Sequence, residues 1–228
     1  ARITIDGDDP ILLIRGETHR LSGLGRNLDG GVLIVEGSAG PEAGAGMRGG
    51  ELVIHANAGA RLGAGMRGGL IRVYGEAGDW VGAALPGAVS GMRGGSILIQ
   101  GSAGDRVADR MRRGLIVVAG DCGTGAASQM LAGTLVMLGK GGPMLGSGMR
   151  RGSVLLCDES AIPDTGFAGN GLQTLGMIPL LRNYLESLDR KLAKALIPFS
   201  RVDRHLGDRG CGGLGELLLA RGSSRRKS

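Results

Sequence analysis

The chain has 228 residues, 47 of them glycine, with 42% hydrophobic residues but only two Phe, two Tyr and one Trp. That apolar content excludes a disordered chain and the glycines lack the every-third-residue spacing of collagen, so any core is built from aliphatic side chains and Met. The net charge is +6, carried mostly by Arg, which suits an anionic partner or ligand and also fits a GC-rich coding composition.

Residues 1–27 read as a lead-in coil and N-terminal cap, with a strand-like Arg2-Ile3-Thr4-Ile5 and a second apolar run, Ile11-Leu12-Leu13-Ile14. The chain opens at Ala1 without a methionine, which leaves room for a leader or a longer parent chain, and no secretory signal pattern is visible. No apolar run reaches 18 residues, so no membrane span is expected. Three cysteines, Cys122, Cys157 and Cys211, cannot all pair internally, and a reducing cytoplasm fits them best.

From residue 28 to about 162 the sequence repeats. Units aligned on the block Gly-Met-Arg-Gly-Gly begin at Leu28, Met47, Met66, Met92, Met111, Met130 and Met149, in steps of 19, 19, 26, 19, 19 and 19 residues. A period of this size is the mark of a solenoid. Five and seven residues past each start stand apolar pairs such as Leu33 with Val35, Leu52 with Ile54 and Ile97 with Ile99, among mixed neighbours. Side chains two apart on a strand share a face, so each unit holds one short strand with this pair pointing inward. Glycines precede the strand (Gly31, Gly50, Gly69) and follow it (Gly40, Gly59, Gly78), where corners need them. A small site (Ala39, Ala58, Ala77, Ala103, Cys122) and a further apolar site (Ala43, Leu62, Val81, Val107) give each coil two more inward positions.

The expected fold is therefore all-β, a right-handed parallel β-helix of about seven 19-residue coils. Helical repeats need about 33 to 47 residues, and no six-residue subperiod survives to support a hexapeptide β-helix. Residues 163–228 differ in kind. Pro179 suits a helix start, and Leu181, Tyr184, Leu185, Leu188, Leu192 and Leu196 recur at three and four up to Pro198, predicting one amphipathic helix that covers the rod or docks to another subunit. Gly215 to Ala220 reads as one returning strand, and Arg221 to Ser228 as a basic, disordered tail.

Chemistry-bearing motifs are few. Gly44 to Gly49 and Gly63 to Gly68 match a dinucleotide-binding fingerprint, but they precede strands and recur at the solenoid period, which excludes that role. His19, His55 and His205 lie far apart, no Cys-x-x-Cys occurs, and no metal site is expected. Cys122 stands where earlier coils place alanine and reads as a small buried filler. Acidic pairs such as Asp8 with Asp9 and Asp105 with Asp109 read as solvated corners, and no catalytic constellation is found.

Two features point to binding. The residue after the methionine is Arg48, Arg67, Arg93, Arg112 and Arg150, with Asp29 and Leu131 breaking the series. Stacked in register, these cations stand about 4.8 Å apart and repel by about 1 kcal/mol per adjacent pair even in water, so the series is either a solvated, mutually stacked arginine edge or a surface met by an anionic ligand or acidic partner. The second feature is a seven-residue insertion between Met66 and Met92, next to Trp80 and a Pro86-Gly87 turn. Trp80 either staples this loop or anchors a neighbouring subunit.

The tandem Gly-x-Gly-Met-Arg-Gly-Gly units, with Gly-Asp-Trp-Val-Gly-Ala at residues 78–83 and the insertion after it, resemble the C-type component of formylmethanofuran dehydrogenase, a GXGXG-repeat β-helix shared with the carboxy-terminal domain of the glutamate synthase large subunit. The resemblance is strong over residues 28–157 and weak at the ends. It implies a non-catalytic member of a multi-chain one-carbon enzyme. One branch is a formyltransferase/hydrolase complex moving a formyl group from formyl-tetrahydromethanopterin to a methanofuran-type carrier and releasing formate. The other is a molybdenum or tungsten formylmethanofuran dehydrogenase, and a structural β-helix domain of the glutamate synthase lineage, a spacer in an amidotransferase, is the remaining alternative. The dominance of Arg over Lys favours the first, bacterial branch. Implied partners are formyltransferase-like, amidohydrolase-like and dehydrogenase-B-like chains, with neither nucleic acid nor membrane. No cofactor is expected on this chain alone, and the polyglutamyl tail of the carrier is expected at a subunit interface near the arginine series.

Overall fold

The computed structural model describes residues 2–6, 9–163 and 166–221. Its backbone is one twelve-stranded sheet in the order β1-β2-β3-β4-β5-β6-β7-β8-β9-β12-β11-β10. Strand β1 (Arg2–Asp6) pairs antiparallel with β2 (Asp9–Ile14). From there the ladder is parallel, one strand per coil: β3 (Val32–Val35), β4 (Glu51–Ile54), β5 (Leu70–Val73), β6 (Arg93–Ile99), β7 (Arg113–Val118), β8 (Thr134–Met137) and β9 (Arg151–Leu156). The register matches the repeat: Leu33 lies beside Leu52, Leu52 beside Ile71, and so on to Val154. The expected parallel β-helix is what the chain forms. It continues beyond the seven units at both ends, because β2 stacks on β3, and β12 (Leu214–Ala220) stacks parallel on β9.

The expected inward positions are inward. The strand pairs from Leu33 and Val35 to Val154 and Leu156 are at most 5% exposed. Ala39, Ala58, Ala77, Ala103, Cys122 and Gly141 join coil to coil by single parallel bridges on a second side. The starting methionines, Met47 to Met149, are fully buried with Leu62, Val81 and Val107. A column of small residues at the bridges and long unbranched Met opposite lets identical coils stack without voids. Corner amides are satisfied by polar side chains one coil away: Asn57 Oδ1 accepts from the Glu76 amide at 2.9 Å, Asp105 Oδ1 from Thr124 at 2.7 Å and Asp121 Oδ1 from Lys140 at 2.7 Å.

The third side of each coil alternates right- and left-handed residues. In the second unit Arg61, Gly63 and Gly65 have φ of 62°, 61° and 65°; in the fourth Arg106, Ala108 and Arg110 have 57°, 61° and 53°. This side carries the functional groups described below.

The C-terminal segment departs from the sequence reading in three ways. The single helix expected up to Pro198 is two: α1 (Met177–Leu188) and α2 (Arg190–Ala195). Asp189 separates them with an extended backbone (φ −152°, ψ 106°), and its Oδ1 accepts the Lys191 and Leu192 amides as an N-cap, while its Oδ2 accepts Gln100 Nε2 at 2.7 Å. Two strands had no sequence signal, β10 (Ala168–Gln173) and β11 (Val202–Gly207), which add antiparallel beyond the returning strand β12. Arg221, expected in the disordered tail, pairs with Asp203 at 3.1 Å and Glu159 at 3.3 Å; residues 222–228 lie outside the described residues.

The helices cover the outer face of the sheet. Leu98, Leu115, Val117, Val136, Leu155 and Leu218 form a second core with Ile178, Leu185, Leu192, Leu196 and Phe199. In β6 to β9 and β12 apolar side chains thus lie on both faces, as in strands covered on both sides. Tyr184 and Ser96 join hydroxyls at 2.9 Å, and Arg72 Nη1 donates to the Leu188 carbonyl at 2.8 Å, fixing the far edge. No helix among the described residues is long and apolar enough to cross a membrane.

Candidate functional site

The insertion does not merely decorate a corner. Residues 84–89 overhang the third side of the rod and close a groove of about 850 Å³. Its floor and far wall come from successive coils: Arg61, Trp80, Arg106, Asp109, Arg110, Gln129, Leu131, Gly148 and Arg150, with Cys211 at one end. Arg61, Trp80 and Arg106 occupy one position of the unit, fourteen past its start, so stacking brings them together from three consecutive coils. The Arg106 guanidinium lies over the Trp80 ring, 5.0 Å from its centre, a cation–π contact that holds both side chains.

Asp109 is the buried polar group of this wall, with a side chain 4% exposed. The same position holds Ala45, Ala64 and Ala83 in earlier coils. Its carboxylate meets Arg106 Nη1 at 3.4 Å and Arg110 Nε at 3.8 Å, and Arg110 Nε also donates to Gln129 Oε1 at 2.9 Å. Burial pushes the Asp109 carboxyl above its ordinary range, against the pull of Arg110 and Arg106. The expectation of a solvated Asp105–Asp109 corner holds for Asp105, which is exposed, and fails for Asp109.

The arginine series stands in register. The amides of Arg48, Arg67, Arg93, Arg112 and Arg150 donate to the carbonyls of Leu28, Met47, Met66, Met92 and Met130, each one coil back, with Leu131 on Met111 in the gap. All five arginines are exposed, and none forms an ion pair among the described residues. Arg93 Nε donates to Ser90 Oγ at 3.0 Å, tying the column to the end of the insertion. Of the six residues singled out from sequence, Trp80 and Arg150 reach the groove, while Arg48, Arg67, Arg93 and Arg112 lie along the column outside it. Arg61, Arg106, Arg110 and Asp109 were missed. Aligning the units at the Trp80 position exposes the first two; Asp109 is signalled only by breaking a run of alanines.

The groove can bind charge and apolar surface; among the described residues it holds no nucleophile and base in contact. Nor is any cluster of three or more His, Cys, Asp or Glu among them placed to hold a metal. Cys122 is the buried filler expected, its thiol pushed up to about 12 by burial, and His55 packs edge-on against Tyr74 at 5.5 Å.

The family model of the GXGXG motif matches residues 86–167. No curated protein matches the chain's sequence. Among solved structures, the formyltransferase/hydrolase complex (FhcABCD) from Methylorubrum extorquens, crystallised in complex with methylofuran, contains a chain 38% identical to this one; the match covers 96% of this chain and 80% of that one, with a TM-score of 0.87. Identity at this level over 96% of the chain shows common descent, and the chain belongs to the family of GXGXG β-helices that form the C-type component of formylmethanofuran dehydrogenases and formyltransferase/hydrolase complexes.

Proposed function

We propose that the chain is a structural, non-catalytic subunit of a formyltransferase/hydrolase complex of one-carbon metabolism in the cytoplasm. In this reading its partners move a formyl group from formyl-tetrahydromethanopterin to a methanofuran-type carrier and release formate, while the rod aligns formyltransferase-like, amidohydrolase-like and dehydrogenase-B-like chains. The observation that carries it is the 38% identity over 96% of the chain to a component of such a complex. The inventory of side chains supports it: the interior is aliphatic and methionine, and the polar groups converging on the surface are arginines, which bind and orient anions. The column of Arg48, Arg67, Arg93 and Arg112 suits a polycarboxylate running along the rod, such as a polyglutamyl carrier tail held at a subunit interface.

Native mass spectrometry of the untagged protein, purified gently from its own cell, tests this. The expected result is a fixed-ratio complex with a formyltransferase-like and an amidohydrolase-like chain. A molybdenum or tungsten subunit in their place moves the chain to the dehydrogenase branch, and a lone chain overturns the reading.

A further inference from the structure

We propose that the groove beneath residues 84–89 is a docking slot for an extended segment of a partner polypeptide with an acidic side chain at each end and apolar side chains between. The proposal rests on the subunit reading above and adds where, and by what chemistry, a partner attaches.

Charge sets the ends of the segment. Asp109, buried between Arg106 and Arg110, offsets one of those two cations from within. Arg61 and Arg150 line the groove at its two ends, and neither meets a carboxylate within ion-pair distance among the described residues. Slightly more than four coils separate them, which at about 4.8 Å per coil is roughly 20 Å along the rod. An extended chain rising about 3.3 Å per residue covers that distance in about six steps, which puts the two acidic side chains at its first and seventh residues, on one face.

The middle of the groove asks for apolar side chains. Leu85 and Val89 form its overhanging wall, and Val89 is 83% exposed. Leu131, where the arginine column is interrupted, adds a further aliphatic side chain to the lining, while Arg106 and Arg110 share the one carboxylate of Asp109. A chain of carboxylates alone would set anions against these aliphatics and beside Asp109, at a cost in desolvation and repulsion. The slot therefore selects a mixed segment over a polyanion.

The backbone is consistent with a built site. Among the described residues ten non-glycine positions have φ in the left-handed region, and five of them, Arg61, Trp80, Arg106, Arg110 and Gln129, line this groove. Arg110 and Gln129 keep side chains at a position that is Gly46, Gly65 and Gly148 in other coils, and Arg106 at one that is Gly125 in the next coil, glycine being what such a backbone prefers.

Trp80 is the single tryptophan of the chain and sits in the slot, so its emission reports occupancy directly. The full chain is titrated with the blocked heptapeptide Glu-Ala-Leu-Ala-Leu-Ala-Glu, with heptaglutamate and with Lys-Ala-Leu-Ala-Leu-Ala-Lys. Expected are a saturable change with the first peptide, at least tenfold weaker binding of heptaglutamate, none of the lysine peptide, and about tenfold loss for each of Arg61→Gln and Arg150→Gln, the worth of one charge-assisted bond. Absence of a saturable change, heptaglutamate binding as tightly as the mixed peptide, or indifference to both substitutions overturns the proposal. In the complex purified from its own cell, Cys211 at the groove end is expected to react with iodoacetamide more slowly than in the isolated full chain, with exposed Cys157 as reference. An assembled complex with Cys211 unprotected defeats the docking slot and leaves the subunit reading standing; a chain that purifies alone defeats both.

Discussion

At the scale of single residues the rod is governed by how closely backbones approach. Gly50 opens β4 with φ +68°, and a Cβ there would lie 2.6 Å from the Gly31 carbonyl oxygen one coil back. Gly50→Ala combines left-handed strain with a backbone clash that no side chain can relieve, and is expected to cost about 3 kcal/mol. Thermal unfolding should show a fall of roughly 6–12 °C. Gly87, in the insertion, has φ +78° but nothing within 4 Å of its would-be Cβ, so Gly87→Ala should show the smaller conformational cost alone. Asp109 offers a pH-dependent case. Burial raises its carboxyl above the ordinary range, so the folded protein holds that proton more tightly than the unfolded chain does. The group then supports the fold most below the ordinary carboxylate range and progressively less as pH rises through its raised value. Asp109→Asn removes the buried charge and is expected to melt higher than the parent at pH 7, with the advantage gone near pH 3, about where free carboxylates are protonated. Equal differences in melting temperature at both pH values would show that the two arginines fully offset the burial.

Among the elements, the C-terminal helices decide whether the outer sheet face is covered. Leu185 is fully buried in the second core, and Leu185→Ala is expected to cost about 2–5 kcal/mol. Asp189→Ala loses the α2 cap and the Gln100 bond, about 1–2 kcal/mol. Hydrogen exchange separates their effects from global unfolding: amides of α1 and α2 should lose protection while those of β3 and β4, which the helices leave uncovered, keep theirs. These same elements mark where sequence reading stops. The coils were legible because each position of the unit is sampled seven times, and averaging isolates the inward pair Leu52 with Ile54 from its neighbours. The helix break at Asp189 occurs once, inside an apolar period of three and four that runs straight through it. Strands β10 and β11 pair only with each other and β12, and Ala168–Gln173 is exposed at all but its last residue, so no alternation is written into it. The groove falls between these cases. Trp80 stood out beside the one irregular unit and Arg150 as a member of the repeated arginine series, whereas Asp109 and Arg110 gain meaning only once the insertion is seen to lie over them.

Across the whole molecule, stacking in register turns a repeated residue into a charged line. Arg48, Arg67, Arg93 and Arg112 occupy four successive coils, and the bonds from their amides to the coil before hold them in column. Neighbours about 4.8 Å apart repel by about 1 kcal/mol each at the dielectric constant of water, less where side chains splay. Arg67 has such a neighbour on both sides; Arg150 is separated from Arg112 by Leu131 and so by about 10 Å, where repulsion is roughly halved. Arg67→Gln should therefore raise the melting temperature by about 2–5 °C in 10 mM salt, where the screening length is about 30 Å, and by almost nothing in 1 M salt, where it is about 3 Å. Arg150→Gln should change little at either ionic strength, so the contrast between the two variants isolates the column from net charge, which both alter equally. A parent protein whose stability does not rise with salt, together with an Arg67→Gln variant that melts no higher at 10 mM, would mean that the side chains escape one another in the free chain. A parent that gains with salt, by contrast, carries repulsion that an anionic partner relieves on binding. Column-dependent assembly should then weaken as ionic strength rises, because the same screening that calms the free rod also shields the attraction.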